Sequence, residues 1–122
     1  MARTRTVLVA DDEPDVRELV CVTLSGTFQR VLEAADGDQA LALARAERPD
    51  LIILDCRMPK LSGLEVAERL SQDPATREIP RIMLTGLHQP GADEQKVDLA
   101  AWLEKPFSPL ELLSCVDRIL GA

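Results

Sequence analysis

The chain has 122 residues, is 46% hydrophobic, and carries 21 acids against 14 bases for a net charge of −7. A chain of this length fits one domain and buries about two-thirds of its unfolded surface, so it needs no disulfide or metal staple. Its hydrophobic content excludes a disordered acidic tail, and its negative balance without a basic run excludes nucleic acid or an anionic membrane as direct partner of this domain.

Short apolar runs alternate with helical patterns along the chain. Val7-Leu8-Val9-Ala10 reads as a strand that stops at Asp11-Asp12. Pro14 suits the first turn of a helix, where its missing N–H would have no partner in any case. Val16, Leu19, Val20, Thr23 and Leu24 then mark one helical face, which ends at Ser25-Gly26. Val31-Leu32 centres a weaker strand, and Asp36-Gly37-Asp38 caps a second helix that Pro49-Asp50 breaks. Leu51-Ile52-Ile53-Leu54 is apolar at every position, as in a strand buried on both faces, and it stops at Asp55. A loop through Arg57, Met58 and Pro59 leads to a helix marked by Val66, Ala67 and Leu70. Arg81 to Leu84 forms the fourth strand, stopping at Thr85-Gly86. Trp102-Leu103-Glu104 forms the fifth, stopping at Lys105-Pro106. Ser108, Pro109 and Glu111 read as the cap, first position and capping-box acid of a last helix.

This order is a strand followed by a helix, five times over. Crossovers of such length imply parallel strands and right-handed connections. The expected fold class is α/β: a three-layer αβα sandwich on a doubly wound five-stranded parallel sheet, order 2-1-3-4-5, in a single domain over 1–122.

In such a sheet ligands bind beyond the carboxyl ends of the strands. Asp11, Asp12, Asp55, Thr85 and Lys105 all stand there. Each alone has a plain structural reading as a cap, turn former or loop residue. Together they strain it, because two like charges 4 Å apart repel by about 4 kcal/mol at an effective dielectric near 20. Three carboxylates on one rim call for a cation, and an open site with few hard oxygen ligands suits Mg2+.

At these residues the chain resembles the receiver domain of two-component response regulators, chemotaxis-regulator-like and flavodoxin-like in fold. The resemblance runs from Val7 to Leu120. It rests on Ala10-Asp11-Asp12-Glu13, on Leu54-Asp55 with Met58-Pro59 and Gly63, on Leu84-Thr85-Gly86, and on Leu103-Glu104-Lys105-Pro106-Phe107. Each piece is weak alone, and the ordered set on the expected strand ends is specific.

The resemblance implies phosphorelay signalling rather than turnover catalysis. Asp55 is then the phosphoacceptor, served by a sensor histidine kinase or phosphotransfer protein. Asp11, Asp12, Asp55 and the backbone carbonyl of Arg57 are the implied Mg2+ ligands. Thr85 and Lys105 hold the phosphoryl oxygens, Lys105-Pro106 is a cis peptide, and Thr85 movement couples to the ring of Trp102. A homodimer or an effector domain is implied as further partner, with a cytoplasmic location.

The chain departs from the family pattern in places. Trp102 stands where Tyr or Phe is usual, and reads equally as a core residue under the last helix. Pro90-Gly91 interrupts the segment before the fifth strand, which predicts a short or displaced helix over 92–99 and leaves His88 in a loop. Arg57 invites pairing with a site acid or shielding of the phosphoryl group, and Cys56 is expected to point into the core. Cys21, Cys56 and Cys115 lack CxxC spacing, and one histidine is too few for a zinc site, so free thiols in a reducing compartment are expected. No apolar run approaches the length of a membrane helix, and the four apolar residues after MARTRT are too few for a signal peptide. Two other functions compete. An aspartate-nucleophile phosphatase usually carries a second Asp two residues after the nucleophile, where Arg57 stands. A receiver-like interaction module that never takes phosphate is the third reading. A stand-alone regulator and a domain of a longer protein both fit the end at Gly121-Ala122.

Overall fold

A computed structural model describes residues 5–86 and 99–121. The strands are β1 (Thr6–Ala10), β2 (Arg30–Ala34), β3 (Leu51–Asp55), β4 (Arg81–Thr85) and β5 (Ala101–Glu104). The helices of the described residues are α1 (Pro14–Leu24), α2 (Gly37–Glu47), α3 (Gly63–Gln72) and α4 (Pro109–Leu120). All five strands pair in parallel in the order β2-β1-β3-β4-β5, as the alternation of elements predicts. The helix expected over 92–99 and the loop position of His88 lie outside the described residues, apart from Leu99 itself.

β1, β3 and β4 are buried without alternation because both of their faces are covered. Their odd and even residues feed two separate core layers. Val7, Val9, Leu51, Ile53, Ile82, Leu84 and Leu103 pack with Val20, Leu24, Leu112 and Val116 of α1 and α4. Leu8, Ala10, Ile52, Leu54 and Met83 pack with Ala40, Leu41, Val66 and Leu70 of α2 and α3. Register follows: Val7 lies beside Leu51 and Leu8 beside Ile52.

Helix ends obey the local signals. Pro14 opens α1, and Asp36 caps α2 by accepting the Gln39 N–H at 2.8 Å. Ser62 with Glu65, and Ser108 with Glu111, form complete capping boxes on α3 and α4. Gly121, left-handed at φ 71°, closes α4.

Two expectations change. Leu19 is 43% exposed, so the buried stripe of α1 runs through Val20 and Leu24 instead. Trp102 does not lie under the last helix: β5 alternation turns Ala101 and Leu103 toward α1 and α4, and Trp102 toward the opposite layer, half-buried. Cys56 packs against that second layer as expected, and is half-buried where it borders the cleft described below.

Candidate functional site

The strands end together because their backbones stay paired one residue further. The Cys56 N–H donates to Leu84 O at 2.9 Å, and the Lys105 N–H to Thr85 O at 2.7 Å. Asp11 follows β1 directly, with its N–H on Ala34 O at 3.1 Å. Asp55, Thr85 and Lys105 therefore meet Asp11 at the carboxyl edge of the sheet. The Lys105–Pro106 peptide there is cis.

Two glycines let the surrounding loops close in. A Cβ at Gly63 would lie 2.2 Å from Asp55 O, so α3 starts hard against the end of β3. A Cβ at Gly37 would lie 2.1 Å from Leu61 O, so α2 abuts the loop after Asp55. Among the described residues, a Cβ at Gly86 would meet nothing within 4 Å.

The residues enclose an open cleft of about 430 Å³ lined by Asp12, Glu13, Asp55, Cys56, Arg57, Thr85, Gly86 and Lys105. Asp11 is wholly buried beneath it, while Asp55 and Thr85 are each 5% exposed. Lys105 Nζ lies 3.3 Å from Asp11 Oδ2, 3.3 Å from Asp55 Oδ1 and 3.4 Å from Glu13 Oε1. The Glu13 N–H donates to Asp11 Oδ1 at 2.9 Å, and the Arg57 N–H to Asp55 Oδ1 at 3.4 Å.

Burial pushes the Asp55 carboxyl up to about 6, and the Asp11 charge adds to that; the Lys105 ammonium and the Arg57 N–H offset part of it. Burial works against the Lys105 charge, but Asp55 and Asp11 outweigh it and hold the ammonium above its ordinary range. Asp11, Asp12, Glu13 and Asp55 each offer a carboxylate oxygen within 4.8 Å of the others. Four hard donors on the wall of an open cleft fit a divalent cation that keeps part of its water.

All the site residues expected from strand ends therefore converge, with Asp12 exposed on the cleft wall and Asp11 below it. Trp102 sits one strand further out, beside Met83 and half-buried. Arg57 borders the cleft with an exposed side chain, and among the described residues its guanidinium forms no ion pair, so the expected pairing with a site acid is not made. Glu13 carried no role of its own in the sequence beyond closing the Ala10–Glu13 motif, yet it reaches both the carboxylate cluster and Lys105. Arg81, buried at the start of β4, carried no signal in the sequence, since a charged residue beside a strand reads as surface.

The profile of the response regulator receiver domain matches residues 7–117. The chain belongs to that family, whose members are phosphorelay signalling domains of two-component systems rather than turnover enzymes. It is 39% identical over 118 residues to the phosphate regulon transcriptional regulatory protein PhoB of Pseudomonas aeruginosa, covering 95% of this chain and 52% of that protein. The chain thus spans about half the length of this curated relative. The chemotaxis response regulator CheY4 of Vibrio cholerae superposes with a TM-score of 0.90 at 34% identity, covering 96% of this chain and 99% of that one. The receiver domain of a Pseudomonas aeruginosa sensor histidine kinase, solved with magnesium coordinated in its active-site cleft, superposes with a TM-score of 0.87 at 28% identity, covering 98% of this chain and 100% of that one.

Proposed function

We propose that residues 1–122 form one receiver domain in which Asp55 takes a phosphoryl group from the phosphohistidine of a sensor kinase or phosphotransfer protein. The observation that carries the reading is the Lys105 ammonium 3.3 Å from both Asp55 and the buried Asp11 at an open cleft. An Asp55 oxygen attacks phosphorus, the phosphorus–nitrogen bond breaks, and the imidazole leaves. Asp11, Asp12, Asp55 and the Arg57 carbonyl would hold Mg2+, with Glu13 beside them. Bound there, Mg2+ offsets the charge of the transferred group. Lys105 is the cation already in place, and exchanges its carboxylate contacts for phosphoryl oxygens. Gly86 leaves room for the donor, and later for the water that ends the signal.

Switching follows from two donors. Moving a two-state equilibrium from 1:99 to 99:1 takes about 5.5 kcal/mol. Thr85 and Lys105 each supply a hydrogen bond to a charged group, worth about 1.5–3 kcal/mol. Thr85 ends β4 two residues after Met83, which lies in register with Trp102, so movement at Thr85 has a short path to that ring. Arg57 shields the phosphoryl group from water. The PhoB relative is a transcriptional regulator about twice as long, which supports an effector domain or a second copy of this chain as the output partner. No described helix is long and apolar enough to cross a membrane, and three free cysteines fit a cytoplasmic setting.

Trp102 is the only tryptophan, so its fluorescence tests the switch. Mg2+ followed by beryllofluoride, which mimics an aspartyl phosphate, changes the emission of the wild type and leaves Asp55→Asn and Thr85→Ala unmoved. An equal change in Asp55→Asn would overturn the assignment.

A further inference from the structure

Asp11 is held at four points. Its N–H reaches Ala34 O, Oδ1 accepts the Glu13 N–H, Oδ2 accepts Lys105, and its carbonyl accepts Arg17 Nη1 at 2.8 Å. Only the last of these comes from outside both the cleft and the sheet. Arg17 lies one helical turn after Glu13, its own N–H on Glu13 O at 3.0 Å, and does not line the cleft. Its Nε donates to Glu33 Oε1 at 3.1 Å. Glu33 pairs with Val9 in the sheet and immediately precedes Ala34, the acceptor of the Asp11 N–H. The Cys21 thiol is pushed up to about 11 by burial and by the Glu33 charge, and stays protonated.

An exposed ion pair by itself is worth little. Arg17 does more than pair, because its rigid planar fork spans two acceptors on two elements. One is the main chain of the buried acid in the cluster and the other is β2. The Asp11-Asp12-Glu13 turn, which carries three of the four clustered carboxylates, is thereby bracketed from behind.

We propose that Arg17, oriented by Glu33, is a positioning residue that presets this turn for divalent cation binding. The proposal rests on the cation reading given above. Without the guanidinium the Asp11 carbonyl loses its donor and the turn gains freedom. The carboxylates must then be ordered at the moment the cation binds. Partners of this outer kind are worth about 10–100-fold in metal affinity.

Calorimetric titration of the full chain with MgCl2 tests it, beside thermal unfolding in chelator and labelling by acetyl phosphate. Arg17→Ala weakens Mg2+ by at least about tenfold, and Glu33→Gln by several-fold. Arg17→Lys, which reaches one acceptor but not both, recovers part of the loss. Arg45→Ala breaks a comparable ion pair, with Asp73, and leaves Mg2+ affinity unchanged. In Arg17→Ala the Mg2+ concentration for half-maximal labelling rises, while the maximal rate at saturating Mg2+ stays that of the wild type. Wild-type affinity in Arg17→Ala overturns the proposal, as does a fall in the maximal rate. If Arg17→Ala does not fold, wild-type affinity in Glu33→Gln overturns it. A wild type that takes up no Mg2+ overturns the cation reading itself, a result distinct from any difference among variants.

Discussion

Asp55 is an acid whose fold opposes its own charge. Burial and Asp11 raise it to about 6, above the ordinary carboxylate value that applies in the unfolded chain. The sign follows: the folded state prefers the protonated form, so stability is full below about pH 4 and declines as pH rises through about 6. Removing the charge should help the metal-free protein at neutral pH. Asp55→Asn is expected to unfold later than the wild type in chelator at pH 7.5, by about 1–2 kcal/mol, with the gain vanishing near pH 4. Urea unfolding at the two pH values checks this, and no difference at pH 7.5 contradicts it. Saturating Mg2+ reverses the order, since the wild type keeps the better cation site. Arg57, two residues on, has no ion-pair partner among the described residues and an exposed side chain on the cleft wall. Arg57→Ala is expected to shorten the lifetime of the phosphorylated form several-fold by admitting water, with stability within about 0.5 kcal/mol of wild type. An unaltered decay rate removes the shielding role.

At the scale of elements, the strand ends carry the site and the helix starts press against it. Gly63 and Gly86 stand at opposite limits of that closeness. Gly63→Ala puts a methyl group 2.2 Å from Asp55 O, a main-chain atom that cannot turn aside. It should cost about 1–3 kcal/mol by displacing α3 from β3, and labelling of Asp55 should slow with it. Gly86→Ala meets nothing within 4 Å among the described residues, so its stability should stay within about 0.5 kcal/mol of wild type while access to the cleft narrows. Thermal unfolding of the two variants separates them. These contacts explain what the sequence showed and what it hid. Fully apolar β3, the acids at strand ends and the serine caps are local patterns, and local patterns survive in a sequence. Which core layer takes Trp102 depends on where β5 starts: one residue of phase sent it to the α2 and α3 side. The exposure of Leu19 likewise depends on how α1 rolls against the sheet, a tertiary quantity.

Across the whole molecule the net charge of −7 acquires a location. Four acids gather within 4.8 Å at one edge of the sheet, and Lys105 is the common cation of three of them, Asp11, Glu13 and Asp55. That concentration is legible in part because each acid follows a strand. Glu13 stood out only as the end of the Ala10–Glu13 motif, and Arg17 escaped notice because it belongs to the start of a helix, where the sequence gives it a solvent-facing role. A second cation should tie the edge together. A free Mg2+ concentration of 100 times its dissociation constant stabilises by about 2.7 kcal/mol, raising the melting temperature of the wild type but hardly that of a variant lacking Asp12. A cleft built this way should move a phosphoryl group onto Asp55. The most direct test is the intact mass after incubation with acetyl phosphate, followed by peptide mapping of the modified site. One phosphoryl group per chain is expected, dependent on Mg2+, located on Asp55 and absent from Asp55→Asn. No added mass in the presence of Mg2+, or an equal gain in Asp55→Asn, would contradict it.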